Sequence, residues 1–337
     1  MSLSLSFFLF LSYTDFMKKE TLVRIKQIAI PLGILVGLFA LMVLVTYLAL
    51  FKPNFMRGNG KPTPMDKNHF LTKENEEKNI ADTEWFYAQN PDEITVQSFD
   101  GIKLVAYNLP AENAKGTWLM IHGHQSSPLR EYAGLARFFH ELGYNVVLPY
   151  QRAHGKSEGK YITFGVKERY DVRDWILKIN EIYGDTSPLY LEGISMGCAT
   201  VLMSLSFDLP ENVKSVVADC GYTSPYEIMW KVAKKDKNVP LPRLILGLGN
   251  IMAKILADFE FDEYDTFKGL RYNKLPVLFV HGTADAFVPI EMTISNYQYC
   301  TSEKYLYLVE DCPHAIAYIV DEDNYHKKLI DFCKLGQ

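Results

Sequence analysis

The chain has 337 residues, 48% hydrophobic and 22% charged, with a formal net charge of −5. This composition is too apolar for disorder over most of the length and suits one large domain plus an appendage. Residues 68–337 hold 27 Lys+Arg against 37 Asp+Glu, and an acidic body disfavours nucleic acid and strongly anionic polymers as partners.

The first stretch, MSLSLSFFLFLSYTDF, is apolar but short, and Met17-Lys18-Lys19 reads like a natural start, which would make residues 1–16 an extension. Residues 28–51, IAIPLGILVGLFALMVLVTYLALF, then run for 24 residues without a charge. At about 1.5 Å per residue this is roughly 36 Å of helix against a hydrocarbon core of about 30 Å, so it predicts one membrane span. The run is longer than the apolar core of a cleaved signal peptide, and no clear small-x-small site follows it. Lys18, Lys19, Arg24 and Lys26 precede it, and Lys52, Arg57 and Lys61 follow. The slight excess before the span predicts residues 1–27 inside and the body outside the cytoplasm. Residues 52–79 are polar and read as a tether with one short helix, which places the main domain at 80–337.

From there apolar runs alternate with helical stretches, the pattern of a mainly parallel sheet covered on both faces. EITVQSF and IKLVAYNLP, either side of Asp100-Gly101, predict an antiparallel hairpin. TWLMIHG, YNVVLPY, PLYLEGI and VKSVVAD follow as strands, with helices at 129–142, 166–182 and 196–206 between them. LPVLFVHG, EMTISNYQYC, KYLYLVE and a closing helix from about Asp323 complete the series. Residues 221–273 break the alternation with apolar helical segments, read as a lid or substrate-facing insertion that also contains the crossover helix. Trp230, Leu244, Ile245, Leu248, Ile251 and Met252 are its candidate substrate contacts, although the same residues would serve equally as packing. The five cysteines, 198, 220, 300, 312 and 333, are odd in number and lack metal-pair spacing. They imply no disulfide framework, and a Cys300–Cys312 pair stays open.

The strand-to-helix turn at 193–197 reads Gly-Ile-Ser-Met-Gly. A serine hydroxyl is a poor nucleophile until a base removes its proton, and the base needs a carboxylate to orient it. Flanking glycines let the chain turn sharply enough to expose Ser195. Asp285 follows the strand LPVLFVHG and His314 follows KYLYLVE, which gives the order serine, acid, histidine. Asp219, at the end of VKSVVAD, is the rival acid, and His326 lies in a polar helix. An oxyanion needs donors fixed beforehand. The amide of Met196 is one candidate; the loop HGHQSS supplies the other, His124 first and Gln125 second. His122 is read as a structural residue of that loop, since His122 and His124 alone make a poor metal site. No metal and no cofactor are expected, and oligomeric state is left open.

On HGHQSS, PYQRAHGKSEG, GISMG, HGTADAFVP and CPHA, the chain from about Ile94 onward resembles the α/β-hydrolase superfamily, in its bacterial serine-hydrolase and esterase branch. That branch includes relatives of prolyl-oligopeptidase-type and cephalosporin-deacetylase-type domains. The resemblance implies Ser195, Asp285 and His314 as triad, about eight strands, no cofactor, and an extracytoplasmic role for anchored members. Arg152, in RAHGKSEG, is expected to tie a loop beneath the site. The expectation is therefore a membrane-anchored α/β-hydrolase acting on a small ester, with a peptidase or amidase as rival and a silent binding protein on the same fold behind that.

Overall fold

A computed structural model describes residues 26–27, 29–33, 37–43, 72–235 and 241–334. The chain divides into two compact units, Met1–Leu50 and Phe51–Gln337. In the first, residues 29–33 and 37–43 are helical. The rest of the expected span (28, 34–36 and 44–51) lies outside the described residues, as do the expected extension and residues 52–71 of the tether. Among the described residues no helix is long and apolar enough to cross a membrane.

The second unit runs α1 (Lys73–Ala88), β1 (Asp92–Gln97), β2 (Lys103–Leu109), β3 (Thr117–Ile121), α2 (Pro128–Glu141), β4 (Asn145–Pro149), α3 (Glu168–Tyr183) and β5 (Leu189–Ile194). It continues with α4 (Met196–Ser204), β6 (Val213–Asp219), α5 (Pro225–Lys235), α6 (Pro242–Ala257), α7 (Thr266–Leu270), β7 (Val277–Gly282), α8 (Ile290–Tyr299), β8 (Lys304–Val309), α9 (Ala317–Val320) and α10 (Glu322–Cys333). Eight strands form one sheet in the order β1-β2-β4-β3-β5-β6-β7-β8. The β1–β2 and β2–β4 pairs are antiparallel and all others parallel, so the expected opening hairpin and parallel body are both present.

Both faces of the central strands are buried because successive side chains point to opposite sides and both sides are apolar. In β3, Trp118 and Met120 join Leu135, Phe139, Tyr325 and Leu329 on one face. Leu119 and Ile121 join Trp175, Ile176, Val201 and Leu202 on the other. Trp118 is stacked between Phe139 and Tyr190, with ring centroids 3.8 and 5.0 Å away. Helix α2 starts cleanly because Pro128 occupies its first turn, where a missing N–H costs nothing.

Two features go beyond the expected outline. Helix α1 crosses the boundary drawn at Ile80: Thr72 caps it, Asp82, Thr83 and Phe86 are buried, and Asp82 pairs with Arg137 of α2 at 3.3 Å. In the 221–273 insertion, α7 is the crossover helix, packed so closely on α4 that a Cβ on Gly269 would stand 1.9 Å from Leu202 O. The longer helices α5 and α6 are therefore additional to the crossover.

Candidate active site

Ser195 stands between β5 and α4 with φ 54° and ψ −116°, a backbone conformation that costs a non-glycine residue about 1–3 kcal/mol. Its neighbours explain how the turn is tolerated. A Cβ on Gly197 would lie 1.8 Å from Ile121 O, and one on Gly193 would lie 2.4 Å from Gly197 O. Only glycine at both positions lets α4 sit against β3, and the Ser195 amide completes the turn by donating to Asp219 O at 2.8 Å.

Three side chains predicted from sequence meet here. His314 Nε2 lies 2.9 Å from Ser195 Oγ, and His314 Nδ1 lies 2.6 Å from Asp285 Oδ2. Asp285 Oδ1 accepts from the amides of Phe287 and Val288 at 2.8 and 2.9 Å. A carboxylate only accepts, so the proton between Asp285 and His314 sits on Nδ1, and Nε2 is free to accept from the serine. Burial alone would raise the Asp285 pKa. Hydrogen bonding to His281 and His314, and the charges these rings can carry, outweigh it and hold the carboxyl well below the usual carboxylate range.

His281 was not singled out in the sequence. Fully buried at the end of β7, it places Nε2 3.0 Å from Val288 O and 3.2 Å from Asp285 Oδ2, with Nδ1 2.7 Å from Thr293 Oγ1. Its only sequence signal was position, a histidine four residues before the acid, and the strand reading had absorbed it.

The loop after β3 is fixed at several points. Gly123 N donates to Glu131 Oε2 at 2.6 Å, and Gln125 N donates to His154 Nε2 at 3.0 Å. The buried ring of His122 bridges Gly123 O and the amide of Gln151 at 2.8 and 3.1 Å, which is the structural part expected of it. The Gln125 amide, second choice for the oxyanion, is thus engaged, whereas the His124 amide has no acceptor among the described residues. Met196 opens α4, where an N–H has no partner within the helix. The His124 ring stacks on Phe164 at 5.1 Å, and burial brings its pKa down to about 3, so the imidazole is neutral. Neither His154 nor Glu131 was foreseen as a support of this loop.

Arg152 holds the neighbouring loop as expected. It donates to Asp171 through Nε and Nη2 at 2.7 and 2.6 Å and to Asp100 at 2.9 Å. Of the expected substrate contacts, Leu244 and Ile251 are exposed, Trp230, Ile245, Leu248 and Met252 are half-buried, and α6 buries Leu246, Gly249 and Ala253 instead. The insertion meets residues next to the site at the end of α5 and just after α6: Lys235 Nζ donates to Ala286 O at 2.6 Å, and Phe261 meets Phe164 edge-on at 6.5 Å.

Asp219, the rival acid, is bonded elsewhere. Its Oδ2 accepts from Tyr325 at 3.1 Å, and the same hydroxyl lies 3.3 Å from Glu192 Oε1, while Asp219 Oδ1 and Glu192 Oε2 have no hydrogen-bond partner. Burial, with the Asp219 charge added, pushes Glu192 up to about 8 from 4.5. A raised pKa means that the folded state holds a proton the unfolded state releases. The stability this group contributes is therefore full below about pH 4.5 and is lost as pH rises to about 8. Glu192→Gln removes that dependence, and over this range wild type should lose about 1–3 kcal/mol more unfolding free energy than the variant. Denaturant unfolding of both proteins at the two pH limits checks this, and parallel pH dependence would disprove it.

Cys220 Sγ, Asp285 and His314 place donor atoms within 4.8 Å of one another, the one group among the described residues with metal-ligand composition. The 2.6 Å Asp285–His314 separation is that of a hydrogen bond, shorter than the roughly 3.3 Å between two ligands of a tetrahedral zinc ion. All five cysteines are free thiols, Cys300 and Cys312 included.

Comparison with known proteins agrees with this architecture. The family model described as alpha/beta hydrolase fold matches residues 116–238. The chain is 23% identical to uncharacterized protein YqkD of Bacillus subtilis over 237 residues, 70% of this chain and 77% of the relative. Against uncharacterized protein YfhR of Escherichia coli it is 24% identical over 245 residues, 69% and 77% of the two chains. Among solved structures, the Pyrococcus furiosus esterase Pf2001 superposes with a TM-score of 0.59 at 22% identity, covering 74% of this chain and 94% of that one. The Exiguobacterium antarcticum esterase EaEST gives 0.53 at 17%, covering 71% and 98%. The match over residues 116–238 and these superpositions show that the chain has the α/β-hydrolase fold.

Proposed function

We propose that the protein is a membrane-anchored serine hydrolase that cleaves carboxylic esters through an acyl-enzyme. The observation that carries this reading is the continuous hydrogen-bonded run from Ser195 Oγ through His314 to Asp285; the amides of His124 and Met196 are the proposed oxyanion donors. In the proposed reaction Ser195 Oγ forms a bond to the ester carbonyl carbon as His314 Nε2 takes its proton. The two amides hold the resulting oxyanion, a kind of contact usually worth about 3–4 kcal/mol for each donor removed. Collapse breaks the bond to the alcohol, which leaves with the proton from His314. Water, deprotonated by the same ring, then releases the acid and restores Ser195.

Esterases among the structural neighbours support an ester over an amide. The uncharged run at 28–51 and the exposed side chains of Ile30, Leu32, Leu38, Phe39 and Leu41 support a membrane anchor. The flanking charges support an extracytoplasmic catalytic domain.

One experiment tests both parts. Cells expressing the full chain are treated with a fluorophosphonate probe that cannot cross membranes, intact and after lysis. Labelling of intact cells at Ser195 is the expected result. Labelling only after lysis would keep the nucleophile and overturn the orientation. No labelling of the folded protein in either sample would overturn the hydrolase, and slower turnover of an ester than of its matched amide would favour the amidase.

A further inference from the structure

Helix α6 turns its larger aliphatic side chains outward. Leu244, Leu248, Ile251 and Ile255 recur at i, i+4, i+7 and i+11, which is one stripe along the helix. Leu244, Ile251 and Ile255 are 48%, 58% and 76% exposed, whereas the opposite face buries only Leu246, Gly249 and Ala253. Leu241, just ahead of the helix, is 68% exposed and extends the stripe. A contiguous apolar face of this kind marks a surface that a partner covers.

Three observations identify that partner. The first is the sequence ahead of the domain. The 24 uncharged residues at 28–51 are followed by residues 52–71, a connector that reaches at most about 70 Å when fully extended. With the apolar run in a bilayer, as proposed above, chain length alone keeps that bilayer within this reach of the domain. The second is charge. Arg243 and Lys254 border the stripe on the same flank by helical spacing, and Lys231, Lys234 and Lys235 project from α5. The described residues of the two helices and their caps carry only Glu227 and Asp258 against these five cations, on a body that is otherwise acidic. Asp258 pairs with Lys254 at 3.1 Å and Lys235 Nζ is bonded to Ala286 O, so Lys231, Lys234 and Arg243 have no anionic partner among the described residues. The third is place. Lys235 bonds to Ala286, next to Asp285, and Asn250 of α6 accepts from the Phe261 amide at 2.6 Å, one aromatic step from the Phe164–His124 stack.

We propose that the α5–α6 insertion is a docking surface for an anionic lipid bilayer. The stripe Leu241, Leu244, Leu248, Ile251 and Ile255 enters the headgroup boundary, and Arg243 with Lys231 and Lys234 meets lipid phosphates. Docking at this face brings the side of the domain next to Asp285 and His124 toward the bilayer and so selects esters held in or on the membrane. The docking rests on the membrane-anchor part of the proposed function, and this consequence rests on its hydrolase part as well.

The test uses the full chain reconstituted in phosphatidylcholine vesicles with and without phosphatidylglycerol. Ile255→Trp places a reporter on the stripe, and Leu177→Trp places a control at an exposed position on α3. Brominated lipid should quench the reporter and not the control, more strongly with the anionic lipid present. Equal quenching at both positions, or none at Ile255→Trp, overturns the proposal, as does quenching that gives way to concentration-dependent dimerisation of the chain through this face. In the second arm, Leu241→Asp with Ile255→Asp should lower turnover of a vesicle-borne ester by roughly tenfold or more, with soluble-ester turnover and fluorophosphonate labelling unchanged. An equal loss on both esters overturns the substrate consequence. Failure of labelling in the wild type, with stripe quenching intact, removes the hydrolase reading and leaves the docking surface standing.

Discussion

Ser195→Ala should lower kcat/KM for an activated ester by about 10⁴- to 10⁶-fold and abolish fluorophosphonate labelling. The size of the effect follows from what the hydroxyl does in the proposed reaction: without Oγ no acyl-enzyme forms, and the remaining amides can only assist a direct attack by water. The fold should be almost indifferent to the change. Ser195 already carries its Cβ at φ 54°, so alanine adds no new strain, and the hydrogen bond lost to His314 is worth about 1 kcal/mol. Thermal unfolding measured beside the kinetics separates the two effects. A folded variant that keeps a tenth of wild-type turnover would show that Ser195 is only a small residue at a tight turn.

The sheet was legible because its centre is buried on both faces. TWLMI, NVVLP, LYLEGI and VLFVHG are apolar runs too short for buried helices, and turn residues bound them. The meeting of Ser195, Asp285 and His314 was legible for a related reason: parallel strands deliver their following loops to one end of the sheet, so residues placed after β5, β7 and β8 arrive together. What supports the triad could not be read in the same way. His281 lies inside a strand, Glu131 inside helix α2 and His154 in a loop, and each acts on residues well separated in sequence or through a ring nitrogen whose direction no periodicity fixes.

The insertion was legible as helix and not as orientation. Helical spacing groups Leu244, Leu248, Ile251 and Ile255 on one side, but an apolar side ordinarily signals burial. It could not reveal that α6 would bury Leu246, Gly249 and Ala253 instead. Helix α1 failed as a boundary for a similar reason. KENEEKN reads as solvated tether, and its helix is held from Asp82, Thr83 and Phe86 onward.

Asp285→Asn should lower kcat/KM by about 10³- to 10⁴-fold with KM little changed. The cause is a reversed proton rather than a lost contact. In wild type both carboxylate oxygens accept: Oδ1 from the amides of Phe287 and Val288, and Oδ2 from His314 Nδ1, with His281 Nε2 also near. In the variant the two amides keep the carbonyl oxygen of asparagine at the Oδ1 place, so its NH2 group takes the place of Oδ2. A donor then faces His314 Nδ1, the proton moves to Nε2, and the ring can no longer accept from Ser195. The pH dependence follows from the same geometry. The Asp285 carboxyl is held well below the usual carboxylate range, so it remains ionised to low pH, and acid inactivation of the wild type should not report its titration. His281→Gln, by contrast, leaves the Asp285–His314 bond in place, and its loss should be at least about tenfold smaller. Rate profiles of the three proteins across pH on one soluble ester decide the matter. If Asp285→Asn behaves no worse than His281→Gln, Asp285 does not orient the base, and another acid, with Asp219 the first to test, does.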